Sequence, residues 1–218
     1  FEELGHSPKY EAIEALERAS VVIDCTPVGN KNKEELYQRL ENPVGFMAQG
    51  SEFGFGKMYA RGINDTALVP GDDRYLHIVS CNTHNISVLI KTLAMDPDGT
   101  NHLVDGRFLC IRRANDISQD EGFVASPTVD KHKDDRFGTH HARDANALCA
   151  TLGYDLNLYS SSLKLNTQYM HSIHFSLTLD EEMTLDEVKE RLMSNARVAV
   201  THKRSANQVF SFGRDHGY

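Results

Sequence analysis

Three short apolar runs, set apart by stretches of helix length, constrain this chain most. They are residues 20–25 (SVVIDC), 44–48 (VGFMA) and 75–79 (YLHIV). Each is mostly β-branched or apolar, and turn or polar residues follow it. That is the pattern of fully buried strands rather than of strands with one wet face. Ser7 and Pro8 read as the N-cap and first position of a helix running through Arg18. Residues 31–40 read as a second helix, with Leu36, Tyr37 and Leu40 on one side. The order helix, strand, helix, strand at this spacing predicts parallel βαβ packing. Residues 51–62 hold Gly54, Gly56 and Gly62 and read as a loop. Gly54 and Gly56 do not complete a dinucleotide-binding GxGxxG motif there.

The style changes after the third run. Residues 85–93 have helical apolar spacing at 86, 89, 90 and 93, so strand passes to helix at Cys81. Residues 106–113 read as a strand. Residues 116–145 are long, polar and weakly periodic. Residues 156–165 and 170–179 read as strands, the second with period two at positions 173 to 179. Thr184 and Glu187 form a capping-box pattern for a helix to Met193, and residues 198–200 read as a short strand. The expected organisation is an α/β region over 1–80. An α+β region on a mixed, largely antiparallel sheet is expected over 81–218.

Composition narrows the function. A formal net charge of −8 argues against nonspecific nucleic-acid binding. No apolar run has the length of a membrane span, and the first residues lack the apolar core of a signal peptide. Cys25, Cys81, Cys110 and Cys149 have neither disulfide-framework nor zinc-ribbon spacing. A reducing cytoplasm is expected.

Cys81 is the first candidate for chemistry. A thiol at a strand-to-helix junction meets the positive end of the helix, which favours thiolate, the nucleophilic form. Its neighbours Ser80, Asn82 and Thr83 are small and polar and suit an oxyanion. The bland alternative is a packed thiol. The histidines are the second candidate: His140 and His141 are adjacent, and His171 and His174 are three apart. On a strand, the second pair faces opposite sides, which is poor for one metal ion. Any of the four is a candidate base for Cys81. The third candidate is the basic group Arg112, Arg113, Lys131, Lys133, Arg136 and Arg143, which suits a phosphate-bearing ligand.

Read together, VVIDCTP (21–27), MAQGSE (47–52), HIVSCNT (77–83), IRRA (111–114), THHARDA (139–145) and YMHSIH (169–174) resemble archaeal-type (type II) glyceraldehyde-3-phosphate dehydrogenase. The resemblance runs across nearly the whole chain. It implies a partial Rossmann nucleotide-binding domain over 1–80 and a catalytic domain over 81–218. It also implies a homo-oligomer, typically a tetramer, working with NAD or NADP. Cys81 would be the nucleophile toward the aldehyde of a phosphorylated substrate. The acyl thioester left by oxidation would then pass to inorganic phosphate. His171 would be the base, with His174 the fallback. Ser80, Asn82, His140, His141 and Arg113 would contact substrate, and Gly50 and Arg112 would lie toward the cofactor.

Some features depart from that pattern. The family's glycine fingerprint is absent from the first 80 residues, and Ala142 stands where glycine is usual. A fragment lacking the first βαβ unit and the family's C-terminal helix is therefore expected. The competing readings are a related semialdehyde or acyl-phosphate reductase, a non-enzymatic binding or oligomerisation module, and a histidine-rich metal binder.

Overall fold

A computed structural model describes residues 2–115, 124–130 and 132–217. The chain forms two compact units, 1–80 and 81–218.

In the first unit the apolar runs become strands of one parallel sheet, β1 (Val21–Asp24), β2 (Gly45–Gly50), β3 (Lys57–Tyr59) and β4 (Tyr75–Val79). Their order is β1-β2-β4-β3, and every pairing is parallel. Helices α1 (Ala12–Glu17) and α2 (Gly29–Glu35) precede β1 and β2, and a 3-10 turn at Tyr37–Arg39 follows α2. The core gathers Val22, Tyr37, Leu40, Phe46, Ala48 and Phe55. Phe46 stacks between Tyr37 and Tyr75, with ring centroids 5.1 and 5.0 Å away. Beneath it, buried Asp24 accepts hydrogen bonds from Tyr37 Oη at 2.7 Å and Asn32 Nδ2 at 2.8 Å. Burial would raise the Asp24 pKa, but the bonds from Asn32, Thr26 and Tyr37 together hold it below the usual value.

Four expectations for this unit are corrected. The first helix starts at Ala12, not Pro8, because it buries no residue that would hold an earlier turn. The second stops at Glu35 and tightens into the 3-10 turn that buries Tyr37. Strand β1 is not fully buried: Val21 and Ile23 are 43% and 65% exposed, because β1 is the sheet's edge and only its Val22 and Asp24 face is covered. The supposed loop contains β3. It lies beside β4 because position 56 is glycine; a Cβ there would come within 2.0 Å of the Tyr75 carbonyl oxygen.

The second unit is a mixed sheet of β5 (Leu103–Arg112), β6 (Thr128–Val129), β7 (Leu158–Lys164) and β8 (Ser172–Leu179), ordered β6-β7-β5-β8. Strands β5 and β7 are parallel; the β6–β7 and β5–β8 pairs are antiparallel. Helices α3 (Cys81–Ala94) and α4 (His140–Ala150) join the sheet in one core. That core includes Ile86, Ile90, Phe108, Cys110, Ala145, Cys149 and Leu158. The period of two in β8 is real: Ile173, Phe175, Leu177 and Leu179 pack against this core while the alternate residues are exposed. Helix α5 (Leu185–Ser194) carries the expected capping box, and α6 (Ala206–His216) follows.

Sequence reading failed at three places here. Helix α4 was hidden because its buried face is His141, Ala142, Asp144, Ala145, Leu148 and Cys149, too small and polar to show as an apolar stripe. Residues 198–200 find no partner strand and stay irregular. Helix α6 was not anticipated, although Ser205 caps it and Gly217 ends it at φ +74°.

Candidate functional site

Helix α4 lies between parallel strands β5 and β7 in the chain, so its N-terminus belongs with the carboxyl end of β5. Alternation along the strands aims Cys110 and Arg112 of β5 and Ser162 of β7 toward the helices. Ser172 pairs with Ile111, which sets His171 one residue on, opposite Arg112. The backbone N–H of Arg113 donates to His171 Nδ1 at 3.2 Å. In the neutral ring this leaves the proton on Nε2.

The two helix N-termini meet here. Cys81 is the first residue of α3 and is exposed. Asn82 is buried, and its Nδ2 lies 3.4 Å from His141 Nε2. The amide donates and the ring accepts, so the proton of neutral His141 sits on Nδ1. That ring is 3% exposed. Burial, then the charges of His140 and Arg112, push its pKa down to about 3. His140 is lowered as well, chiefly by burial. The rings of His140 and His141 have centroids 3.9 Å apart. Both histidines are therefore neutral near pH 7.

A cavity of about 290 Å³ opens beside them. Arg112, Lys133 and Arg143 supply its positive charge, Asp130 and Asp134 its negative charge, and Thr139 and Ser162 line it too. Arg112 pairs with Asp130, and Arg143 with buried Asp144 at 2.7 Å.

Of the basic residues singled out in the sequence, three thus share one cavity. Arg136 pairs instead with exposed Asp155, and the Arg113 side chain bonds the Asn115 carbonyl. Lys131 lies outside the described residues. His174 stands exposed on the face of β8 opposite the core. Ser80 and Gly50 belong to the first unit, Gly50 ending β2 with φ +85°. The adjacent histidines occupy the first turn of a helix, where both line the cavity. Sequence reading missed Asp130 and Ser162. Asp130 follows β6 directly, and its N–H bonds the Ser162 carbonyl of β7, a pairing that residue type alone does not signal.

Another polar cluster, His102 with Asp96, Asp180 and Glu181, is tied by Arg191 to Asp96 at 3.0 Å and Glu181 at 3.4 Å. It is an ion-pair network in which a guanidinium already pairs with two of the three carboxylates.

No helix among the described residues is long and apolar enough to cross a membrane. No family model matches the chain. Curated relatives do. The chain is 29% identical over 206 residues to glyceraldehyde-3-phosphate dehydrogenase of Methanobacterium bryantii, covering 91% of this chain and 56% of the relative. It is 24% identical over 223 residues to the protein of that name from Pyrobaculum neutrophilum, with 100% and 62% covered. The corresponding figures for Pyrococcus furiosus are 26% over 225 residues, 99% and 61%. The chain spans about six-tenths of the length of these relatives.

Proposed function

We propose that the chain carries the thiol-addition half of a glyceraldehyde-3-phosphate dehydrogenase-like oxidoreductase. The similarity to relatives of that name supports the class. One observation carries the reading: exposed Cys81 opens α3, and the next residue, Asn82, bonds a neutral histidine on the wall of a cation-bearing cavity.

In this reading the Cys81 thiolate adds to the aldehyde carbon of a phosphorylated substrate. A C–S bond forms and the carbonyl π pair moves to oxygen as an alkoxide. The backbone N–H groups of Cys81 and Asn82 at the start of α3 and the His171 Nε2–H are the donors for that charge. Because the Arg113 amide occupies Nδ1, His171 holds the oxygen by hydrogen bonding. It accepts a proton only after that bond is released, which refines its role as base. The phosphoryl group takes the cavity, with Arg112, Lys133, Arg143 and the His141 Nδ1–H as partners. Inorganic phosphate is the second anion of the same chemical class.

The hydride acceptor of this class is a nicotinamide dinucleotide, NAD or NADP. A pyrophosphate needs a glycine-rich turn and a helix N-terminus open to it. In the first unit the turn after β1 leads to α2, whose Asn30 N–H already donates to Glu52 Oε2 at 2.8 Å. A Cβ at Gly29 would also meet the Glu52 side chain at 3.3 Å. These residues do not fit the group, so the reading rests on the addition step. A cytoplasmic setting belongs to the same proposal and agrees with four free cysteines.

The test is timed iodoacetamide labelling near pH 7.5, with modified cysteines located by mass spectrometry. Burial pushes the thiols of Cys110 and Cys149 up to about 12, so both should stay unlabelled. Cys25 is exposed and serves as the internal reference. Cys81 is expected to react roughly tenfold faster than Cys25 or more. Equal rates at Cys81 and Cys25 would remove the nucleophile and the proposal with it.

A further inference from the structure

The cavity suits an anion, yet its strongest cation already holds one. Arg112 Nη1 donates to Asp130 Oδ2. That same oxygen faces Ser162 Oγ at 3.4 Å, and the Asp130 N–H bonds the Ser162 carbonyl at 2.9 Å. Asp130 is thus fastened to β7 and does not hang from the rim. Meanwhile Arg112 Nε and His141 Nδ1 are both buried and lack a hydrogen-bond partner among the described residues. Buried donors left unpaired are uncommon and costly. Both residues line one cavity, and the Arg112 fork is only partly used.

Building on the reading of this cavity as a phosphate site, we propose that Asp130 is a specificity-determining residue, an internal carboxylate that competes with an incoming phosphoryl group for Arg112. A phosphate must either approach within reach of a fixed like charge or separate Asp130 from the guanidinium. Only an anion with several oxygens recovers the loss, because it also reaches the unpaired Nε and Nδ1 donors. Asp130 therefore lowers affinity for every anion and leaves phosphate the least penalised.

The experiment is calorimetric titration of inorganic phosphate into the 218-residue chain at fixed ionic strength and pH 7.5. Wild type is compared with Asp130→Asn and Asp130→Ser. Removing the charge is expected to tighten phosphate binding roughly tenfold in either variant, and the gain should vanish in an Arg112→Gln background. Damage to the fold weakens binding, so a gain cannot come from it, and two variants guard against one failing to fold. Phosphate binding that is equal or weaker in variants melting like wild type would overturn the role of Asp130 alone. No phosphate binding in any variant would overturn the phosphate reading of the cavity, and this role with it.

Discussion

A histidine that stays neutral well into acid changes how the protein responds to pH. His141 keeps a pKa of about 3 in the folded chain, against about 6.5 when unfolded. Between these values the unfolded state binds a proton that the folded state refuses. Stability therefore rises with pH across that window, by at most about 1.4 kcal/mol per pH unit. Conversely it falls as pH drops below about 6.5. Replacing His141 with Gln should flatten the dependence. From pH 6.5 to 5 the wild type should lose about 1–2 kcal/mol more than the variant in urea unfolding. Parallel losses would mean that His141 takes up its proton without unfolding. At this scale much of the candidate site could be picked out. Cys81 and Asn82 stand out by residue type and local context, and His141 and Arg112 as members of a histidine pair and a basic group. Asp130 and Ser162 do not, because their place beside Arg112 depends on strand pairing across some thirty to fifty residues of chain.

Among the elements, legibility followed the chemistry of the buried face. The β4–α3 junction was readable at Cys81 because a strand of four apolar residues around His77 precedes a helix whose buried side includes Ile86, Ile90 and Leu93. Helix α4 was unreadable because alanine, histidine and aspartate make up most of its buried side. Strand β3, three residues long, depends on one glycine against Tyr75 rather than on its own pattern. Helix α5 was readable from its cap alone. Thr184 Oγ1 accepts from the Glu187 N–H, and Glu187 returns a bond to the Thr184 N–H at 2.7 Å. It buries no residue completely, so this cap matters more than packing. Thr184→Ala should weaken its first turn by about 1 kcal/mol. Amide exchange over residues 185–188 should then rise roughly fivefold, with β5 and β8 unchanged. No change in exchange would assign the helix's stability to other contacts, such as Arg191 and Asn195.

On the scale of the whole molecule, the two units have separate cores. Phe46 is fully buried at the centre of the first. Phe46→Ala should cost that unit about 3–5 kcal/mol. Exchange protection should be lost across β1, β2 and β4 and kept across β5, β7 and β8. Simultaneous loss in both would show that they unfold as one. The bare side of β1 has a different consequence. Val21 and Ile23 stand in water on an edge strand, an arrangement that invites strands of other molecules to add on. A net charge of −8 works against such addition through mutual repulsion. That repulsion fades toward the isoelectric point near 5.7. Clarity of a solution of this protein is thus an electrostatic property. It should cloud first on mild acidification or in high salt, and Ile23→Glu, which removes apolar surface and adds negative charge, should delay the clouding.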